Sequence, residues 1–102
     1  MEETDNQVPV GTVMTIKVPL DRSKTQTATF YLKEMTEDVF LASKSLMDVG
    51  KQFDAVRLII KSLSLSGSDQ ADVLKTNFIA MNSMRNAVIE LIEPIDAEVK
   101  KN

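Results

Sequence analysis

From Ser68 to Pro94 the chain reads SDQADVLKTNFIAMNSMRNAVIELIEP, an amphipathic stretch whose apolar side chains have to be covered by other parts of the fold. On a helical wheel Val73, Leu74, Phe78, Met81, Met84, Val88, Ile89, Leu91 and Ile92 fall in one broad arc, the spacing of a core-facing helix. Asp72, Lys75, Thr76, Ser83, Asn86 and Glu90 take the opposite side. Ser68 stands where an N-cap hydroxyl would accept an orphan amide, Asp69 and Asp72 put negative charge where the helix dipole favours it, and Pro94 is the expected stop. The helix so predicted is roughly 35–40 Å long. A chain of 102 residues offers one domain and one modest core with which to cover it.

The covering elements are legible upstream. In TVMTIKVPL, Met14, Ile16, Val18 and Leu20 alternate with Thr15, Lys17 and Pro19, and in TQTATFYLKEM, Ala28, Phe30 and Leu32 alternate with Thr27, Thr29, Tyr31 and Lys33. A period of two predicts half-buried strands, and the polar DRSK between them predicts the turn of a hairpin. Pro19, without an amide, suits an edge or a strand end. Thr36, with Glu37 and Asp38 behind it, predicts the capped start of a helix that runs to about Val49 before Gly50, with Val39, Ala42, Leu46 and Val49 as its stripe. A second helix over about 52–65 carries Phe53, Val56, Ile59, Ile60 and Leu63 on one side and Leu58 and Leu65 nearly opposite, so it should be covered on both faces. SLSLSGSD then breaks the pattern at Gly67. The expected fold class is α+β, mostly helical: an N-terminal antiparallel β-hairpin followed by three α-helices, the last one long. The expected organisation is a disordered arm over 1–11, a single domain over 12–95 and a flexible tail over 96–102.

Chemistry has little to work with. There is no histidine and no cysteine, which removes the usual general base, the commonest metal ligand and thiolate chemistry. Gly11, Gly50 and Gly67 are scattered and form no phosphate-cradling loop. Asp69 and Asp72 read as dipole-favourable first-turn acids, and neighbouring Ser–Lys pairs such as Ser43–Lys44 or Lys61–Ser62 do not face each other on a helix. The reading is therefore of a protein without catalytic residues, cofactor or metal. A net charge of −3 argues against nucleic-acid and membrane partners, and the acidic MEETDNQ start is unlike a secretory signal, which leaves a cytoplasmic protein as the expectation. Six methionines suit adaptable contact surfaces, though Met81 and Met84 read first as core. Arg85 lies inside the apolar arc, where it must reach an acid such as Asp54, Asp48 or Glu37 or contact a partner. Ile79 points into the polar side. Leu58, Leu65, Ile79 and Arg85 are thus the candidate protein-interaction residues.

The succession TIKVPL, YLKEM, TEDVFLA, LIIKSLSLSGSD and ELIEP, over about Thr12 to Pro94, resembles the small tail assembly chaperones of long-tailed bacteriophages. The likeness lies in the order of elements, the chain size and the SLSLSGSD break, and it carries no functional residue with it. It implies a non-enzymatic protein of the infected bacterial cytoplasm that self-associates, binds the long helical tape-measure protein and recruits tail-tube subunits. The alternative expectation is a self-associating structural or adaptor subunit of a phage or another symmetric assembly.

Overall fold

The computed structural model describes residues 8–69 and 71–101, the last three of them by backbone only. The expected arm over 1–11 lies, up to residue 7, outside the described residues. The observed order is β1 (Met14–Pro19), β2 (Thr27–Leu32), α1 (Glu37–Asp48), α2 (Gln52–Leu63), α3 (Asp72–Thr76) and α4 (Phe78–Lys101). It is the expected α+β architecture, an N-terminal antiparallel hairpin followed by helices with a long one at the end.

The strand register pairs Ile16 with Phe30 and Val18 with Ala28, so the apolar members of both strands stand on one face. That face is buried and meets Val56, Ile59, Ile60 and Leu63 of α2 and Ala80, Met81, Met84, Val88 and Ile92 of α4 in one cluster. Helix α1 lies on α2, α4 lies on β1, and α2 also packs on α4, so α2 is the element covered from two sides. Gly50 ends α1 at φ 84: its amide donates to Met47 and the Lys51 amide to Leu46, the double bond of a Schellman cap, which demands a left-handed residue at that point.

Several expectations are overturned. The long helix is split: Asn77 is extended (φ −131, ψ 102) and separates α3 from α4, because its side chain has two partners that a continuous helix would deny it. Its Oδ1 accepts the Ala80 amide at 3.0 Å, an N-cap bond, and its Nδ2 donates to the Leu20 carbonyl at 2.8 Å in the hairpin. Ser68 caps no helix. Instead SLSLSGSD runs along the outer edge of β2: Lys33 N–H donates to Leu63, Leu65 N–H to Tyr31 and Asp69 N–H to Thr29, while Ser68 Oγ and Asp69 Oδ2 accept the Tyr31 and Thr29 amides. An expected break between helices is therefore the cover of a sheet edge, because outward amides of β2 find acceptors there.

Pro94 does not end the last helix, which continues to Lys101. Proline removes one amide, but Ile95 packs against the core and Asp96 stands 3.8 Å from Lys44 of α1, and both hold the following turn in place. On α1 the buried residues are Phe40 and Ser43, with Val39, Leu46 and Met47 half-buried, whereas Ala42 and Val49 of the expected stripe are exposed. Ser43 was hidden from a hydropathy reading by its hydroxyl, which donates to the Val39 and Phe40 carbonyls and needs no other partner. Thr36 occupies the cap position of α1, but its hydroxyl donates to Asp38 and accepts no amide. Among the described residues no helix is long and apolar enough to cross a membrane.

Two carboxylates fasten the loops. The Thr25 hydroxyl, and then the Thr25 and Gln26 amides, hold the Asp21 carboxyl below its ordinary value of 3.8, and the Thr36 hydroxyl does the same for Asp38. A carboxyl so lowered favours the folded chain above the ordinary value, and that contribution disappears as pH falls through the folded-state value. Carbon-detected NMR titration should give midpoints below 3.8 for both. Thr25→Val should return Asp21 towards it and leave Asp38 unmoved.

Candidate interaction surfaces

An apolar trench runs between the start of the hairpin and α4. One part, about 250 Å³, is lined by Val13, Met14, Leu32, Lys33, Glu34, Met35, Leu63, Leu91 and Ile95. A second, about 440 Å³, continues it along Met14, Thr15, Ile16, Lys17, Ala87, Glu90 and Leu91. Met14 and Leu91 belong to both, so the two are one trench. Its walls follow from local sequence: the strand period brings Met14 and Ile16 to the face that meets α4, and the i, i+4 spacing of Ala87, Leu91 and Ile95 turns them to the same side. Leu32, Leu63 and Ile16 form a buried floor, while Val13 at the rim is 59% exposed. Two methionines of flexible shape, Met14 and Met35, are half-buried in it.

Beside the trench lies the outer edge of β1. Leu20 donates to Gln26 across the hairpin, and the odd-numbered amides of β2 point outward to the SLSLSGSD cover; with the register, this turns the Thr15 and Lys17 amides away from β2. Neither has a backbone partner among the described residues, and Pro19 has no amide to offer. The edge is blunted by a lysine and a proline, the usual protection of a strand that should not pair indiscriminately.

Apart from the trench, α2, α3 and α4 enclose a second groove, of different character. Ile60, Leu74 and Met81 form its floor and Arg57, Lys61 and Lys75 its rim, with Ala71 and Asp72, around about 330 Å³. Arg57 is shared with an adjoining hollow of about 430 Å³ bounded by Gly50, Lys51, Gln52, Phe53, Asp54 and Arg85.

Of the expected site residues only Arg85 lines one of these features, the hollow beside the groove. Arg85 makes none of the expected pairs: Asp54 holds Arg57 at 2.7 Å and Asp48 holds Lys44 at 2.6 Å. Its guanidinium lies over the Phe53 ring, 5.8 Å from the centroid, and its Nη2 reaches Asn86 at 3.4 Å, while the buried Nε has no hydrogen-bond partner. Leu58, Leu65 and Ile79 are all half-buried, on α2, in the edge cover of β2 and in the first turn of α4 respectively, and none lines the trench or the groove. Phe78, expected in the core arc, is 69% exposed and meets Phe53 edge-on at 5.9 Å. The break at Asn77 restarts the helix and sets Phe78, its first residue, clear of the core. Val13 and Met35 were missed because they flank strands and helices, where no period marks them. Comparison with family models, curated proteins and solved structures finds no match. The surfaces themselves therefore carry the functional argument.

Proposed function

We propose that the chain is a non-enzymatic assembly chaperone that holds a helical segment of a client protein in the trench between β1 and α4, in the manner of the phage tail assembly chaperones that its sequence resembles. The observation that supports this most is the continuity of the trench through Met14 and Leu91, with apolar walls and two methionines able to repack around different side chains. A tape-measure protein, long and helical, is a client of the required shape, and tail-tube subunits are the second partner that this role implies. The test is co-expression with a tape-measure protein. This chain should keep that protein soluble and co-purify with it, and Val13→Glu, at an exposed rim position, should weaken capture about tenfold or more, equivalent to about 1.4 kcal/mol. Capture unaffected by Val13→Glu would remove the trench from the proposal, and no capture at all would remove the client.

A second reading, a self-associating structural or adaptor subunit, is favoured by the outer amides of Thr15 and Lys17 in β1, which have no backbone partner among the described residues. Sedimentation of the isolated chain separates the two: the second reading requires a stable oligomer that Val13→Glu or a proline at Lys17 dissociates, with no client present.

A further inference from the structure

The groove of α2, α3 and α4 is electrically unlike the rest of the chain. Lys51, Arg57, Lys61, Lys75 and Arg85 line it and its adjoining hollow, with Asp54 and Asp72 as the only carboxylates among the described residues. Five of the twelve lysines and arginines and two of the fifteen acids line this face, so in a protein of net charge −3 its described lining sums to +3. Both acids are already engaged, Asp54 by Arg57 at 2.7 Å and Asp72 by Lys75 at 3.9 Å. Lys51, Lys61 and Arg85 have no carboxylate partner among the described residues, and the Nε of Arg85 is buried without a hydrogen bond. Phe78, exposed beside Phe53, adds an aromatic anchor at the Arg85 end.

We infer that this face is a docking site for an acidic amphipathic helix of a partner protein. Charge complementarity selects that occupant. A basic rim around an apolar floor of Ile60, Leu74 and Met81 suits a segment whose apolar stripe is flanked by carboxylates, and offers an all-polar phosphate backbone no use for the floor or for Phe78. The spacing sets its length. Lys51 and Lys61 bracket α2 ten residues apart, about 15 Å along the helix, so the docked segment needs carboxylates spread over about three turns. This site is separate from the β1–α4 trench and stands or falls independently of the chaperone reading.

The experiment is fluorescence anisotropy of the full chain with three labelled probes: a 20-residue amphipathic helical peptide with glutamates flanking a leucine stripe, the same peptide with glutamines, and a single-stranded RNA of similar length. The acidic peptide should bind, weaken as salt is raised, and exceed the glutamine peptide by tenfold or more. The triple variant Lys51→Glu, Lys61→Glu, Lys75→Glu, all at exposed positions, should lose that difference with its helical circular dichroism and melting temperature preserved, whereas Val13→Glu should bind as the parent does. Three results would overturn the inference: equal binding of the two peptides, tighter binding of RNA than of the acidic peptide, or a self-association of the chain that the triple variant abolishes, which would make the occupant a second copy. A lost client with a retained acidic peptide defeats only the trench, and the reverse defeats only this groove.

Discussion

Phe30→Ala should cost about 3–5 kcal/mol, the range for truncating a buried phenylalanine. Domains of this size have roughly 5–15 kcal/mol in total, so the variant is expected near the edge of folding at 37 °C. Phe30 is fully buried at the centre of β2, opposite Ile16, and its ring contributes to the cluster formed by the sheet, α2 and α4. A two-stranded hairpin is marginal by itself, and its docking depends on the residues it presents to the helices. The loss would therefore combine the transfer of the ring with a cavity that only a backbone shift of β2 could fill, and β2 is fixed on both edges, by β1 and by residues 63–69. Urea denaturation should show a large fall in midpoint with little change in slope. Tyr31→Ala is the control. Its side chain is half-buried on the other face while its backbone keeps its bonds to Leu65 and Ser68, so a cost of about 1 kcal/mol is expected. If the two variants lose equally, the core has been placed on the wrong face of the hairpin.

The hairpin was legible because alternation carries its own phase: of the positions the period selects, Ile16, Val18, Ala28, Phe30 and Leu32 are buried and Met14 and Leu20, at the strand ends, half-buried. Helix α2 was legible for a similar reason, a strong apolar stripe at Val56, Ile59, Ile60 and Leu63. What hydropathy could not show was polar side chains doing the work of backbone. Ser68, Asp69 and Asn77 each satisfy an amide or carbonyl on an element more than 35 residues away in sequence, or the first turn of their own helix, and a helical wheel counts all three as solvent-facing. The same limit hid the candidate surfaces. The trench joins Val13 and Met35 to Leu91 and Ile95, and the basic face joins Lys51 to Lys75 and Arg85, pairings that exist only once the elements are docked. Arg85 was marked by its place in an apolar arc, correctly as an oddity, but its neighbour is the Phe53 ring and not a carboxylate, and nothing in the spacing distinguishes those two outcomes.

Asn77→Ala should cost about 2–3 kcal/mol, unusually much for a half-buried polar residue. Loss of the cap on the Ala80 amide contributes about 0.5–2 kcal/mol and loss of the bond to the Leu20 carbonyl about 0.5–1.5 kcal/mol. Alanine also favours the competing arrangement. It is a better helix former than asparagine by roughly 0.5 kcal/mol, and an uninterrupted helix from α3 into α4 is what the apolar pattern around the break already permits. Asn77→Asp divides the contributions: a carboxylate still accepts the Ala80 amide, and gains from the helix dipole, but it has no donor for Leu20 and sets negative charge beside that carbonyl. Aspartate should therefore fall between asparagine and alanine in urea denaturation. The consequence reaches the basic groove, because Ala71, Asp72, Leu74 and Lys75 form a wall of it only while α3 leaves the axis of α4 at Asn77. An acidic peptide that docks there should bind Asn77→Ala more weakly than Asn77→Asp even under conditions where both are fully folded. Equal binding by the two would mean that the break is set by Leu74 and the packing of α3 on α4, with Asn77 only filling it.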